Sequence, residues 1–144
     1  MLSICAIRPG QDPFYAINAD VPHDDRTHLI CQLEQCGHMG APRVTASELA
    51  HRILTLPTDD LNALAHNAVG DLAVGMPAGT RVAGADGWSL RLRHGVALIT
   101  PTDAPPYALA VCYTGPLANG HAVGDPATRL LARIAAQVWS LRRG

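Results

Sequence analysis

The sequence predicts an α+β domain: a five-stranded antiparallel sheet flanked by helices. Three observations carry this. The chain begins with two strand-like runs separated by a turn signal. Three more strand-like runs follow one another between residues 80 and 114. The chain ends in a helix with a clear apolar stripe. The order is two strands, helices, three strands, helix, and a sheet covered on both faces accommodates it.

The elements follow in order. "LSICAIR" (2–8) reads as a strand, "PGQDP" as a turn and "FYAIN" (14–18) as a second strand, together an antiparallel hairpin. "ADVPHDD" leads into a helix from about Asp25 to Gln35, ended by Gly37 and Gly40. Thr45 and Glu48 form a Thr-x-x-Glu capping box, which opens a helix running to about Leu56. Pro57 stops it. Thr58, Asp59 and Asp60 start another, with Leu61, Leu64, Ala65, Ala68 and Leu72 at helical spacing. The next strands are expected at about 80–85, 88–100 and 106–114. "SLRLR" alternates, which predicts a wet face there. "GVALIT" and "YALAVCY" are continuously apolar, as central strands covered on both sides are. In the last helix Asp125 is the expected N-cap and Pro126 the first helical residue. Leu130, Leu131, Ile134, Val138 and Leu141 form its stripe. No repeat or second domain is visible, so residues 1–144 read as a single domain.

Composition narrows the function. The net charge is −1, which gives no electrostatic support for nucleic-acid binding. The longest apolar runs are too short to span a bilayer. "MLSICAIRPG" shows no secretory leader, and a cytoplasmic location is expected. All 11 cations are arginine, so Schiff-base, lysine-base and P-loop chemistry are excluded. In that setting the 4 cysteines are expected to be reduced, with Cys5 and Cys112 inert in strands. "CQLEQCGH" places Cys31, Cys36 and His38 close together, with His28 three residues upstream. The spacing matches no standard zinc motif, and ordinary residues are the alternative to a metal site. No cofactor is expected.

Four blocks carry a family resemblance. "YAINADVPHDDRTHLI" resembles a strand-to-helix passage with Asn-Ala-Asp followed by a nucleophilic serine and a lysine. "TASELAHRIL" is similar to a helix that returns from a helical lobe. "GMPAGTRVAGADG" resembles the approach to a Lys-Thr-Gly strand, and "GVALITPTDAPPYALAVCYTGP" the last two strands. The family is the class A β-lactamase and penicillin-recognising serine hydrolase superfamily. The resemblance implies a minimal β-lactamase-like α/β lobe lacking the helical lobe. Aligned on Asn18-Ala19-Asp20, the serine falls on Thr27 and its lysine on Ile30. Lys-Thr-Gly becomes Ala85-Asp86-Gly87. The groups that activate a serine and hydrolyse its ester are not matched, so ordinary β-lactamase activity is not expected.

The fold would bring the start of the Thr27 helix beside the Ala85–Trp88 strand. The expected catalytic set is His28, Asp86 and Thr27, with His28–Asp86 as an acid–base pair. Asp25, Trp88, Arg91 and His94 are the expected substrate-binding residues. Each has a plainer reading: capping for His28 and Asp86, packing for Trp88, a solvated stripe for Arg91 and Arg93, a turn for His94. The expected function is a repurposed, cofactor-free small-molecule enzyme, an isomerase, cyclase or hydrolase, in secondary metabolism. The alternative is a non-catalytic ligand-binding or protein-interaction pseudoenzyme. A homodimer through residues 45–72, with Trp139, is expected to cover apolar surface left by the absent lobe.

Overall fold

The structure is a computed structural model that describes residues 1–34, 43–66, 70–119 and 124–143. Five antiparallel strands make the main sheet: β1 (Leu2–Ile7), β2 (Tyr15–Ile17), β5 (Arg81–Ser89), β6 (Leu92–Thr100) and β7 (Tyr107–Thr114). Their spatial order is β2-β1-β7-β6-β5. The terminal hairpin is therefore placed against the last strand rather than the third. β3 (His23–Asp24) and β4 (Arg43–Val44) pair as a small separate ribbon.

Helices cover both faces. α4 (Asp71–Val74) and α5 (Pro126–Trp139) lie on one side with Val82, Ala97, Ile99, Leu109 and Val111. α1 (Leu29–Glu34) and α2 (Ala46–Leu54) lie on the other with Cys5, Ile7, Val96, Ala110 and Cys112. Adjacent strand residues belong to opposite clusters, as the two-residue period of a strand requires. α3 (Thr58–His66) packs beside β5. No helix among the described residues is long and apolar enough to cross a membrane.

Several local expectations need correction. β5 is continuous through Gly87, where the sequence predicts a break, because all nine of its residues pair with β6. The helix expected from Asp25 begins only at Leu29, since Arg26 and Thr27 form a turn. The segment after Pro57 is two helices, with 67–69 outside the described residues. Thr45 does cap α2, accepting from the Glu48 amide at 3.0 Å. Asp125 occupies the N-cap of α5, but its carboxylate accepts from the Asn119 amide at 3.2 Å. It closes the preceding loop instead of capping the helix. Gly37, Gly40, Cys36 and His38 lie outside the described residues.

Candidate functional site

Asp25 organises the turn before α1. It is fully buried, and its Oδ1 accepts from the Leu29 amide at 2.9 Å and from the Thr27 hydroxyl at 3.2 Å. Its Oδ2 is buried without a hydrogen-bond partner among the described residues, as is His28 Nδ1. His28 has φ +53°, which only a tight local constraint makes tolerable for a side chain with a Cβ. Gln32 Nε2 donates to the Thr27 carbonyl at 2.8 Å and holds the turn from the helix side.

Thr27 sits directly on Gly87. A Cβ added to Gly87 would meet Thr27 Oγ1 at 2.1 Å and Thr27 Cβ at 2.9 Å. The expected neighbourhood of Thr27 and the Ala85–Gly87 stretch is therefore present. The expected His28–Asp86 pair is not. Asp86 precedes Gly87 in an unbroken strand, so its side chain leaves the opposite face. There it accepts from the Asp71 amide at 3.1 Å, and its oxygens lie 3.1 Å from the position of a Cβ on Gly70. Burial, then the Asp71 carboxylate, push the Asp86 carboxyl up to about 6.

The back face holds a group that sequence reasoning missed. Arg93 is buried and makes a bidentate pair with Asp71, at 2.6 and 2.9 Å. The expected solvated stripe of Arg91 and Arg93 is thus half wrong. Arg91 is exposed in the turn between β5 and β6, with φ +64°. Its partner in the "RLR" pattern is inside because α4 covers that face. No local pattern announces an acid 22 residues away.

His94, one of the expected substrate-binding residues, is a core residue, so its plainer reading as a turn residue does not hold. It is fully buried on the Thr27 side of β6. The Tyr113 amide donates to its Nδ1 at 3.2 Å, so the ring proton is on Nε2 and donates to the Asp24 carbonyl at 2.9 Å. Burial lowers its pKa below the usual histidine value. His23 packs edge-on at 5.5 Å and bridges the hydroxyls of Ser3 and Thr114, each at 2.8 Å. Burial, then His94, lower His23 to about 4. Both imidazoles tie β3, and with it the Thr27 turn, to the sheet. Trp88 is at the rim, 47% exposed.

The cysteine expectation also changes. Cys5 and Cys112 are buried free thiols, as expected, and burial raises both well above the ordinary thiol range. Cys31 is disulfide-bonded, not reduced. A sulfur in a disulfide is no thiolate ligand, which weakens the Cys31 metal alternative. Among the described residues no three His, Cys, Asp or Glu side chains group as metal ligands.

Residues 50–141 match the beta-lactamase enzyme family. The chain belongs to that family. Solved class A relatives share the fold of this beta-lactamase-family protein. The beta-lactamase class A of the last common ancestor of Gram-negative bacteria superposes with a TM-score of 0.73 at 13% identity, over 98% of this chain and 93% of that one. A beta lactamase from Burkholderia vietnamiensis gives 0.73 at 13% identity, over 100% and 92%. One from Burkholderia ambifaria gives 0.67 at 14%, over 98% and 94%. At such identities the likeness is one of fold. No curated protein matches in sequence.

Proposed function

We propose that this beta-lactamase-family chain is a binding module rather than a hydrolase. The observation that carries the reading is the division of its candidate catalytic residues between two faces of β5. Thr27, followed by His28 in the turn before α1, packs on the Gly87 face, while Asp86 is engaged with Asp71 on the other. A general acid–base pair must lie within hydrogen-bond reach of one reacting group. Two further features support it. Thr27 packs on Gly87, in the space where a reacting atom would have to approach. The position aligned with a lysine is Ala85, whose methyl packs with the α1–α2 cluster.

One observation favours the enzymatic alternative. The Thr27 hydroxyl donates to a buried carboxylate, Asp25, which is the arrangement of a hydroxyl nucleophile and its base. The same Asp25 oxygen serves the Leu29 amide, so capping the turn accounts for it equally.

Intact-mass measurement after incubation with benzylpenicillin, together with turnover of a chromogenic cephalosporin, separates the two readings. The binding module remains unmodified and shows no turnover above buffer. A stoichiometric adduct or turnover that disappears in Thr27→Ala would overturn the proposal, and its loss in Asp25→Asn would identify the base.

A further inference from the structure

The exposed turn between β5 and β6 is fastened on three sides. The Arg91 amide donates to the Ala118 carbonyl at 2.7 Å, and the Gly115 amide to the Arg91 carbonyl at 2.9 Å. Arg26 Nη2 donates to the Leu90 carbonyl at 2.8 Å. The Ala127 amide in turn donates to the Leu117 carbonyl at 3.2 Å, which joins this loop to the first turn of α5. The turn, the 115–118 loop and the start of α5 therefore form one continuous, hydrogen-bonded surface.

Its composition is unusual in two independent ways. Among the described residues, three of the seven exposed large apolar side chains lie on it: Trp88 at 47%, Leu90 at 65% and Leu117 at 41%. Four arginines surround them: Arg26, Arg91, Arg129 and Arg133. Among the described residues none of these four forms an ion pair, whereas Arg43, Arg52, Arg93, Arg142 and Arg143 all do. Arg8 and Arg81 are the other two arginines without an ion pair among the described residues, so four of the six unpaired arginines lie on this surface. Leu117, Pro126, Arg129, Leu130 and Arg133 line an open notch of about 290 Å³.

We propose that this surface docks an acidic amphipathic helix of a protein partner, an apolar side chain entering the notch between Arg129 and Arg133. Arg129 and Arg133 are four residues apart on α5, so their stems are about 5–6 Å apart on one helix face. Carboxylates four residues apart on a partner helix have the same spacing, and each guanidinium donates to one in a two-bond fork. The intervening apolar residue then meets Leu117 and Leu130, the buried centre that an interface needs inside its polar rim. The notch lining of Leu117, Pro126, Arg129, Leu130 and Arg133 holds no aromatic ring on which a base could stack, and its concave shape suits a side chain better than a lipid surface. The inference rests on the binding-module reading and supplies its partner.

The probe is a fluorescein-labelled synthetic helix of glutamates and leucines, with a glutamine-for-glutamate peptide as its control. Anisotropy is expected to show saturable binding to the full chain, weaker at high salt as rim charges are screened. The glutamine peptide is expected not to saturate. Arg129→Glu with Arg133→Glu should weaken binding by roughly tenfold or more, and Leu117→Asp should abolish it. Arg81→Glu, outside the notch, should leave it unchanged. All these side chains are at least partly exposed, and Leu90→Asp at the turn tip provides a second apolar probe with no helix at stake. Absence of saturable binding overturns the proposal, as does equal binding by the charge-reversed variant. Tighter binding of a DNA duplex or of anionic phospholipid vesicles to the same residues also overturns it, as does self-association abolished by the same substitutions. None of these readouts involves acylation. Failure here leaves the non-hydrolytic reading standing, and an acylated Thr27 would not account for charge-dependent peptide binding.

Discussion

Replacing Gly87 with alanine tests the contact on which the site reading depends. The new methyl carbon would lie 2.1 Å from Thr27 Oγ1, 2.9 Å from its Cβ and 3.3 Å from its Cγ2. Carbon atoms in ordinary contact stay about 3.5–4.0 Å apart, so the threonine must yield by more than an ångström. It is not free to rotate away without loss, because its hydroxyl is bonded to Asp25 and its carbonyl to Gln32. Overpacking of this kind costs about 1–3 kcal/mol. Thr27→Ala alone should cost about 0.5–1.5 kcal/mol, the net value of one hydrogen bond. In that background Gly87→Ala meets only the remaining Cβ at 2.9 Å. Its penalty should fall by about 1 kcal/mol, within the usual range for residues in contact. Thr27→Ser keeps the offending oxygen and should give much less relief. Urea unfolding of the four members of the cycle, and of the serine pair, measures all of this. A Gly87→Ala penalty that is the same with Thr27 intact and in the Thr27→Ala background, or no penalty at all, would refute the placement of Thr27 on Gly87.

Arg93→Met should destabilise the chain by about 3–5 kcal/mol, because Asp71 is left buried and unpaired. The double variant Arg93→Met/Asp71→Leu should recover most of that in the same unfolding assay. Stability should also depend on pH through His23. Its folded pKa of about 4 lies below the unfolded 6.5, so the unfolded chain binds more protons between those values. The stabilisation is complete above pH 6.5 and is lost as pH falls through 6.5 towards 4. Asp86 has the opposite sign, being raised from 3.8 to about 6: its ionisation costs stability as pH rises through that window. Comparing melting curves of wild type, His23→Gln and Asp86→Asn across about pH 4–7 separates the two, and parallel curves would contradict both. Light scattering behind a sizing column tests the homodimer: a mass of 15.2 kDa at micromolar concentration would remove it. Across 45–66 no large apolar residue is exposed among the described residues, which leaves the interface expected there little apolar surface to bury.

The sheet is legible in the sequence because its signals are local. "GVALIT" and "YALAVCY" are apolar at every step, and both strands are covered on two faces. The Thr45 cap and Pro126 at the start of α5 are likewise set by neighbours a few residues away. Arg93 shows where that locality ends. The alternation of Leu90, Arg91, Leu92 and Arg93 has the pattern of a half-wet strand, and only α4 packing across the face makes Arg93 a core residue. His94 misleads for a related reason. Its position before Gly95 suggests a bend, yet Gly95 pairs in register with Val111 and Asp86, and the strand runs straight through.

The misplacement of Asp86 is different, because the sequence itself holds the information against it. The family resemblance places "Ala-Asp-Gly-Trp" in one strand lying beside the start of a helix. Successive strand side chains point to opposite faces, so Asp86 and Gly87 cannot both address Thr27. Which of the two does so depends on the covering helices. The side with α1 needs a residue without a side chain, because Thr27 occupies that space. The side with α4 offers a backbone donor, the Asp71 amide, and a buried guanidinium nearby, so a carboxylate is tolerated there. Glycine and aspartate are thus each suited to one face only. The same parity argument separates Ala85 from its neighbour: Ala85, the residue aligned with the lysine, is on the Thr27 face and Asp86 is not. The acid therefore does not reverse the charge of that face. It leaves the Thr27 face of β5 without a charged side chain at Ala85 or Gly87 and carries its own charge to the back of the sheet.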